Sequence, residues 1–167
     1  AVIGVMAALM DVTDRKRAEE ASRQSEEFQR AIVDCSPVAL YCYDPHDPEA
    51  RVISWNASAE RIYGWTAEEV LGKPLPVVPE EQKARFEEIR SLALQGRILT
   101  NQEVVRQKKD GSRFDASLST ALIRGAGGEP IGVMAAVMDI TERKRAEQAL
   151  RESEAFNRLV MDNIPIG

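Results

Sequence analysis

The sequence predicts an α+β fold built on an antiparallel sheet with helices at both ends. Three observations predict it. Strand-like and helix-like segments are segregated along the chain, two strands, then several short helices, then three strands, whereas a doubly wound fold alternates them. Lys109-Asp110-Gly111-Ser112 joins two period-two segments and marks a tight hairpin. A near-identical segment occurs at both ends of the chain and sets one complete unit apart from its flanks.

The repeat sets the organisation. Ile3–Met10 reads IGVMAALM and Ile131–Met138 reads IGVMAAVM; the match continues through Asp11–Arg30 and Asp139–Arg158 and fades near Pro37 and Pro165. The offset is a constant 128 residues, and about 22 of 37 aligned positions are identical. That period is a whole domain with its linker, not a solenoid repeat of ~20–50 residues. The expected layout is residues 1–12 as the last strand of a preceding repeat and 13–35 as a linker helix. Residues 36–141 would be the complete domain, 142–162 a second linker helix and 163–167 the start of a following repeat. A chain that begins with Ala1 rather than Met is expected to be a piece of such a tandem array.

The elements follow in order. Val2–Met10 is short, apolar and β-compatible, so a strand is expected. A loose apolar strand seeks a sheet edge, by intermolecular pairing or by exchange with Ile131–Met138. In Thr13–Cys35 the residues Ala18, Ala21, Ser25, Phe28, Ile32 and Cys35 step by three and four, a heptad seam; the later copy is Ala146, Ala149, Ser153, Phe156, Val160 and Asn163. The seam is poor in Leu and marginal as an isolated coiled coil; the alternative is an amphipathic helix packed on its own domain.

Ala39–Tyr43 and Arg51–Asn56 are strands joined by the turn-rich Asp44-Pro45-His46-Asp47-Pro48. Asn56 is placed to cap a helix over Ala57–Tyr63, which Gly64 stops. Thr66-Ala67-Glu68-Glu69 is a capping box opening a second short helix, closed by Gly72. Pro79 suits a first helical position for Glu80–Leu94, where Phe86, Ile89, Leu92 and Ala93 share a face. Leu99–Lys108 and Phe114–Ile123 form the hairpin, and Gly125–Gly128 leads into the strand Ile131–Met138. Asp139-Ile140-Thr141 ends that strand and opens a helix, with capping-box spacing from Asp139 to Glu142.

Composition excludes several functions. Net charge is −5 with 29% charged residues, which argues against a nucleic-acid binder working through a basic face. No apolar run reaches the ~18 residues of a membrane span, and no basic leader with a cleavage site is read. Two cysteines cannot build a disulfide scaffold; Cys35 and Cys42 are expected as buried small apolar packing. His46, the single histidine, lies in a turn and rules out a His-rich metal site or a kinase histidine box. Gly125-Ala126-Gly127-Gly128 lacks the Lys-Ser/Thr of a phosphate loop. Glu68-Glu69 and Glu80-Glu81 sit at helix starts, where they complement the dipole rather than do acid–base work. No catalytic residues are assigned, and no enzyme activity is expected of this chain.

Trp55-Asn56-Ala57-Ser58-Ala59-Glu60, Gly64 to Lys73, Lys109-Asp110-Gly111 and Asp139-Ile140-Thr141-Glu142-Arg143 stand in one order across the whole unit. In that order and spacing the chain resembles the PAS domain family. The resemblance implies a five-stranded antiparallel sheet with short helices over one face, a pocket between them, and a coiled linker after the Asp-x-Thr motif. It implies a sensing or dimerising module that passes a signal to a kinase, cyclase or regulator. Cytoplasmic residence is expected with it, with any tether lying in other parts of a parent protein. The expected function is therefore a sensor and relay unit whose junction is Asp139, Thr141 and Arg143. A purely structural dimerisation spacer and a cofactor-bound redox sensor are the alternatives.

Period two assigns the faces. Phe114, Ala116, Leu118, Thr120 and Leu122 should look at the core. The last strand is apolar on both sides, Ile131, Val133, Ala135 and Val137 against Met134, Ala136 and Met138, so its outer side needs a cover. The helix around Phe28–Ile32 or a partner subunit is expected to supply it. A homodimer through the linker helices and the outer sheet face follows, with no nucleic acid and no membrane contact. Candidate pocket residues are Tyr41, Tyr43, Ile53, Trp55, Phe86, Val104, Arg106, Phe114, Leu118, Val133 and Val137.

The cofactor-binding branches of the family can be compared position by position. Where the flavin-photosensing branch carries a reactive cysteine, Gly72-Lys73-Pro74 is followed by Leu75. Its flavin-reading amides match Arg106, Ala116 and Val137, none of them an amide. The helix Glu80–Leu94 has no histidine for haem. No cofactor is predicted, and an unknown small molecule is left open. Arg106 is expected near its strand end and solvated; turned inward, it would need an anion such as a carboxylate.

Overall fold

The computed structural model describes residues 2–162, and the chain divides into two units after Ser36. The first unit is one helix, α1 (Val2–Cys35), which buries none of its residues. Ion pairs between neighbouring turns, Arg15–Glu19 at 2.9 Å and Arg23–Glu20 at 2.6 Å, lie along it. The strand expected over Val2–Met10 is therefore not formed. Backbone polar groups must be paired, and a strand can pair them only with another strand. Ala, Leu and Met are good helix formers, so a segment without ladder partners satisfies itself within a helix. The seam residues Ala18, Ala21, Phe28 and Ile32 are exposed, and so is Cys35, which ends the helix outside any core instead of packing inside one.

The second unit is the folded domain. Its elements are β1 (Ala39–Tyr43), β2 (Val52–Trp55), α2 (Ala57–Tyr63), α3 (Ala67–Val70) and a 3₁₀ turn at Glu80–Gln82 leading into α4 (Lys83–Leu94). Then come β3 (Leu99–Gln107), β4 (Arg113–Arg124), β5 (Pro130–Asp139) and α5 (Thr141–Asp162). The five strands form one antiparallel sheet of order β2-β1-β5-β4-β3. This is the predicted α+β architecture. Asn56 caps α2 by accepting from the Ala59 amide at 2.8 Å, and the Thr66 amide donates to Glu69 Oε2 at 3.0 Å across the predicted capping box.

The core lies between the inner sheet face and the helices. Tyr41, Trp55, Tyr63 and Phe114 form its aromatic centre, with ring centroids 5.3 to 6.2 Å apart. Ile89 and Ala93 of α4 are buried, and Phe86 packs on Tyr43 at 5.8 Å. Phe114, Ala116, Leu118 and Thr120 face inward as period two predicts. Val133, Ala135 and Val137 also face inward, whereas Met134 and Met138 on the outer side are 42% and 54% exposed. Phe28 and Ile32 of α1 are exposed as well. The seam residues Ala146, Ala149 and Phe156 of α5 are exposed; Asn163 and the expected start of a next repeat at 163–167 lie outside the described residues.

One pocket assignment fails at a bulge. Cys42 pairs with Ser54, but Tyr43 pairs with Val52, so Ile53 is an extra residue in β2. The alternation slips there: Val52 and Trp55 are buried and Ile53 is 49% exposed. Period-two counting places Ile53 beside Trp55, and the bulge reverses it.

Candidate functional site

The sheet brings the other pocket candidates together. Tyr41 and Tyr43 from β1, Trp55 from β2, Val104 and Arg106 from β3, Phe114 and Leu118 from β4, and Val133 and Val137 from β5 are all buried. Phe86 is half-buried beside them. The Trp55 indole N–H is satisfied by the Trp65 carbonyl at 3.0 Å.

Arg106 departs from its expectation. It is not solvated at a strand end but 1% exposed, because its register opposite Phe114 points it into the core. Its Nη1 donates to the Val105 carbonyl at 3.1 Å, and its Nε has no partner. Tyr63, which sequence reasoning left out of the pocket, ends α2 in the same core with its hydroxyl buried and unpartnered. Its place after Ala59 and Ile62 on the short helix was the available signal. Burial pushes the Tyr63 phenol well above its usual range, with the nearby Tyr41 adding to the effect and the Arg106 charge opposing it. Burial raises Tyr43 in the same way, and Arg106 opposes that shift too. Cys42 is buried as predicted, and burial pushes its thiol up to about 11.

A groove of about 420 Å³ opens beside this core, lined by Arg61, Ile62, Tyr63, Gly64, Lys108, Lys109 and Asp110. Lys108 Nζ stands 5.2 Å over the Phe114 ring, and Lys109 Nζ stands 5.1 Å over Trp65.

The second constellation is the junction of sheet and helix. The Thr141 amide donates to Asp139 Oδ1 at 2.9 Å. The Asp115 amide of β4 donates to Thr141 Oγ1 at 3.3 Å, and its carbonyl accepts from the Ile140 amide at 2.9 Å. Lys144, one turn into α5, reaches Asp115 at 3.1 Å and Glu103 of β3 at 2.9 Å. Arg143 reaches Glu103 at 3.5 Å and Glu147 at 3.7 Å. The hydrogen bond that Lys144 donates to Glu103, and then that to Asp115, raises the Lys144 pKa. Asp139, Thr141 and Arg143 were legible from the motif; Lys144 was not, because its partners come from β3 and β4. Three strands are thus tied to the first turn of α5.

Among the described residues no group of three or more His, Cys, Asp or Glu side chains could hold a metal ion, and no helix is long and apolar enough to cross a membrane. The positions matching the flavin-reading amides, Arg106, Ala116 and Val137, do line the inner face, but none offers an amide, and Leu75 stands at the cysteine position. These residues do not fit that chemistry.

A half-covered antiparallel sheet whose last strand runs through a tied junction into a helix is the build of a non-catalytic sensory module. A family model described as the PAS fold matches residues 33–145, and the chain belongs to the PAS family. Over 154 residues it is 29% identical to the probable diguanylate cyclase DgcE of Escherichia coli (strain K12), covering 90% of this chain and 14% of that protein. Over 156 residues it is 27% identical to the sensor protein FixL of Bradyrhizobium diazoefficiens, covering 87% of this chain and 29% of that protein. The structure of an RNA-binding light-oxygen-voltage receptor superposes with a TM-score of 0.67 at 23% identity, over 78% of this chain and 37% of that one, which is a likeness of fold. The chain spans less than a third of the length of these curated relatives. It is a PAS sensory module of the kind that larger signalling proteins carry.

Proposed function

We propose that residues 36–141 sense a change in the core and relay it through β5 and the Asp139-Ile140-Thr141 junction to α5. The observation that carries this is the double tie of Asp115 to the junction, through Thr141 Oγ1 and the Ile140 amide. Asp115 stands on β4 between the inward-facing Phe114 and Ala116, so a shift of the inner face moves the groups that hold the helix start. The exposed heptad seam of α5 is weak, so a small free-energy difference suffices to change its packing. In this reading the outer faces of Met134 and Met138 and the seams of α1 and α5 pair with a second copy, residues 2–12 take the place of a last strand when a preceding repeat is present, and the output activity lies in the parent protein.

The test is amide exchange on the double variant Asp139→Ala/Thr141→Ala. Protection of the first turns of α5 should fall while that of β4 and β5 is retained. Unchanged protection over residues 142–150 would overturn the relay. Light scattering of the chain in solution tests pairing, and a monomer at micromolar concentration counts against it.

A further inference from the structure

The place of β5 in the sheet makes a short set of demands. The strand there must pair its backbone with β1 on one side and β4 on the other. Val133, Ala135 and Val137 fill the core from it, and Ile140 is buried just after it. Gly132 has no room for a Cβ, which would lie 2.5 Å from Cys42 Sγ. Thr141 and Lys144 then tie the strand end to β4 and β3. Residues 4–16 meet each of these demands at the constant offset of 128 residues. Gly4 corresponds to Gly132, Val5, Ala7, Leu9 and Val12 to the core residues, and Thr13 and Lys16 to the junction. These residues lie on α1, where Val5, Leu9 and Val12 are exposed.

We propose that residues 4–16 are a donor strand and junction for a second copy of this chain, entering its sheet between β1 and β4 in place of β5. The exchange does not rest on the relay. The acceptor is another copy because of α1. In the sheet Leu9 would take the place of Val137, which pairs with Ala39. A helix over Thr13–Cys35 separates its ends by ~34 Å, so a chain could complete its own sheet this way only by breaking α1. A second copy is reached with α1 intact. The displaced Ile131–Met138 has a state to go to: the same sequence, one residue aside, is helical at the head of α1, so the displaced segment extends α5 as a helix. Either arrangement puts one apolar segment in a sheet and one in a helix, and local concentration separates them. β5 follows β4 through the turn closed by the Gly125 amide and the Glu129 carbonyl, which holds it at an effective concentration of ~1 mM or above. The one unequal residue adds to that bias. Val137 is fully buried, and Leu9 would bring one more methylene to its closed site, an overpacking that lowers occupancy by about tenfold. Leu9 therefore biases each chain toward its own β5.

The experiment traps the exchanged state in the full 167-residue chain. Gly4→Cys is combined with Cys35→Ser; both positions are exposed, and a Cβ at Gly4 meets nothing within 4 Å, so the fold is kept. The chain is refolded from urea at ~1 mM, where donor and β5 compete for the sheet, and is then oxidised with diamide. A disulfide should join position 4 of one chain to Cys42 of another, seen as a covalent dimer on a non-reducing gel and as the cross-linked peptide by mass spectrometry. Val5→Cys in place of Gly4→Cys is also exposed on α1 but would face the other side of the sheet, and should link roughly tenfold more slowly or not at all. Leu9→Val makes the donor match β5 and should raise the initial rate of linking by about tenfold. Absence of the cross-linked peptide overturns the proposal, as does a link confined within one chain or an equal rate from Val5→Cys. A rate unchanged by Leu9→Val overturns the role given to Leu9. Met6→Cys, which would stand where Met134 pairs with Cys42, is the second trap should the first variant not refold, and absence of its link to Cys42 overturns the proposal equally.

Discussion

Asn56 and Leu40 hold each other twice. The Asn56 amide donates to the Leu40 carbonyl at 3.0 Å, and Asn56 Oδ1 accepts from the Leu40 amide at 2.9 Å. The same oxygen caps α2 through the Ala59 amide, and Nδ2 donates to the Val38 carbonyl at 3.1 Å. One buried side chain therefore fixes the entry to β1 and the start of α2. Asn56→Ala should lose ~2–3 kcal/mol in urea denaturation, a lost cap plus unpaired buried backbone groups. Asn56→Asp keeps the acceptor and should lose less. A loss under ~0.5 kcal/mol for the alanine variant would contradict this assignment.

Arg90 locks α4 to the β1–β2 loop. Its guanidinium is buried and donates to the carbonyls of Pro48 at 3.2 Å, Pro45 at 3.5 Å and Asp47. Arg90→Ala leaves those carbonyls unpaired and should destabilise by ~2–3 kcal/mol. Arg90→Lys should recover little, because a point-like ammonium cannot span the three acceptors as the planar fork does. Denaturation midpoints of the two variants check both statements.

Gly132 and Cys42 share one space on the outer side of the sheet. A Cβ at Gly132 would lie 2.5 Å from Cys42 Sγ. Gly132→Ala should destabilise by ~1–3 kcal/mol, the cost of overpacking. Adding Cys42→Ala should return most of it, so a double-mutant cycle should show coupling rather than additivity. Equal effects of Gly132→Ala with and without Cys42 would refute the contact. The same burial, which pushes the Cys42 thiol up to about 11, should make it slow toward disulfide reagents at pH 8, while exposed Cys35 reacts at once.

Two exposed ion pairs predict opposite pH limits. The Lys109 hydrogen bond, with that of the Thr66 amide, lowers the Glu69 pKa below its ordinary value of 4.5. Its stabilisation is present above the unfolded value and lost as pH falls through the lowered one. The Lys144 pKa is raised above 10.5 by Glu103 and Asp115, so that contribution is present below 10.5 and lost as pH rises through the raised value. Glu69→Gln should flatten the acid side of a stability profile, and Lys144→Met the alkaline side. Profiles unchanged on those sides would count against these pairs.

What could be read from residues alone follows distance along the chain. The Asn56 cap, the Thr66–Glu69 box and the Asp110-Gly111 turn act over a few residues, so local chemistry specifies them. The segregation of strands and helices, with the hairpin, was enough for the sheet class. Arg106 was not legible, because its burial depends on β3 lying beside β4 with Arg106 opposite Phe114. Ile53 was not legible, because a bulge belongs to the pairing of two strands and leaves no mark in one.

The repeated segment draws the line most clearly. Ile3–Met10 and Ile131–Met138 differ at one position, yet the first lies in α1 and the second in β5. Thr13 donates its hydroxyl back to the Leu9 carbonyl at 2.8 Å, while its counterpart Thr141 accepts from the Asp115 amide. The sequence by itself determined that both segments are apolar and that both lead into a polar helix. Only the tertiary structure decided helix or strand. The second copy has β1 and β4 on either side to pair its backbone, and the first pairs its backbone within its own turns.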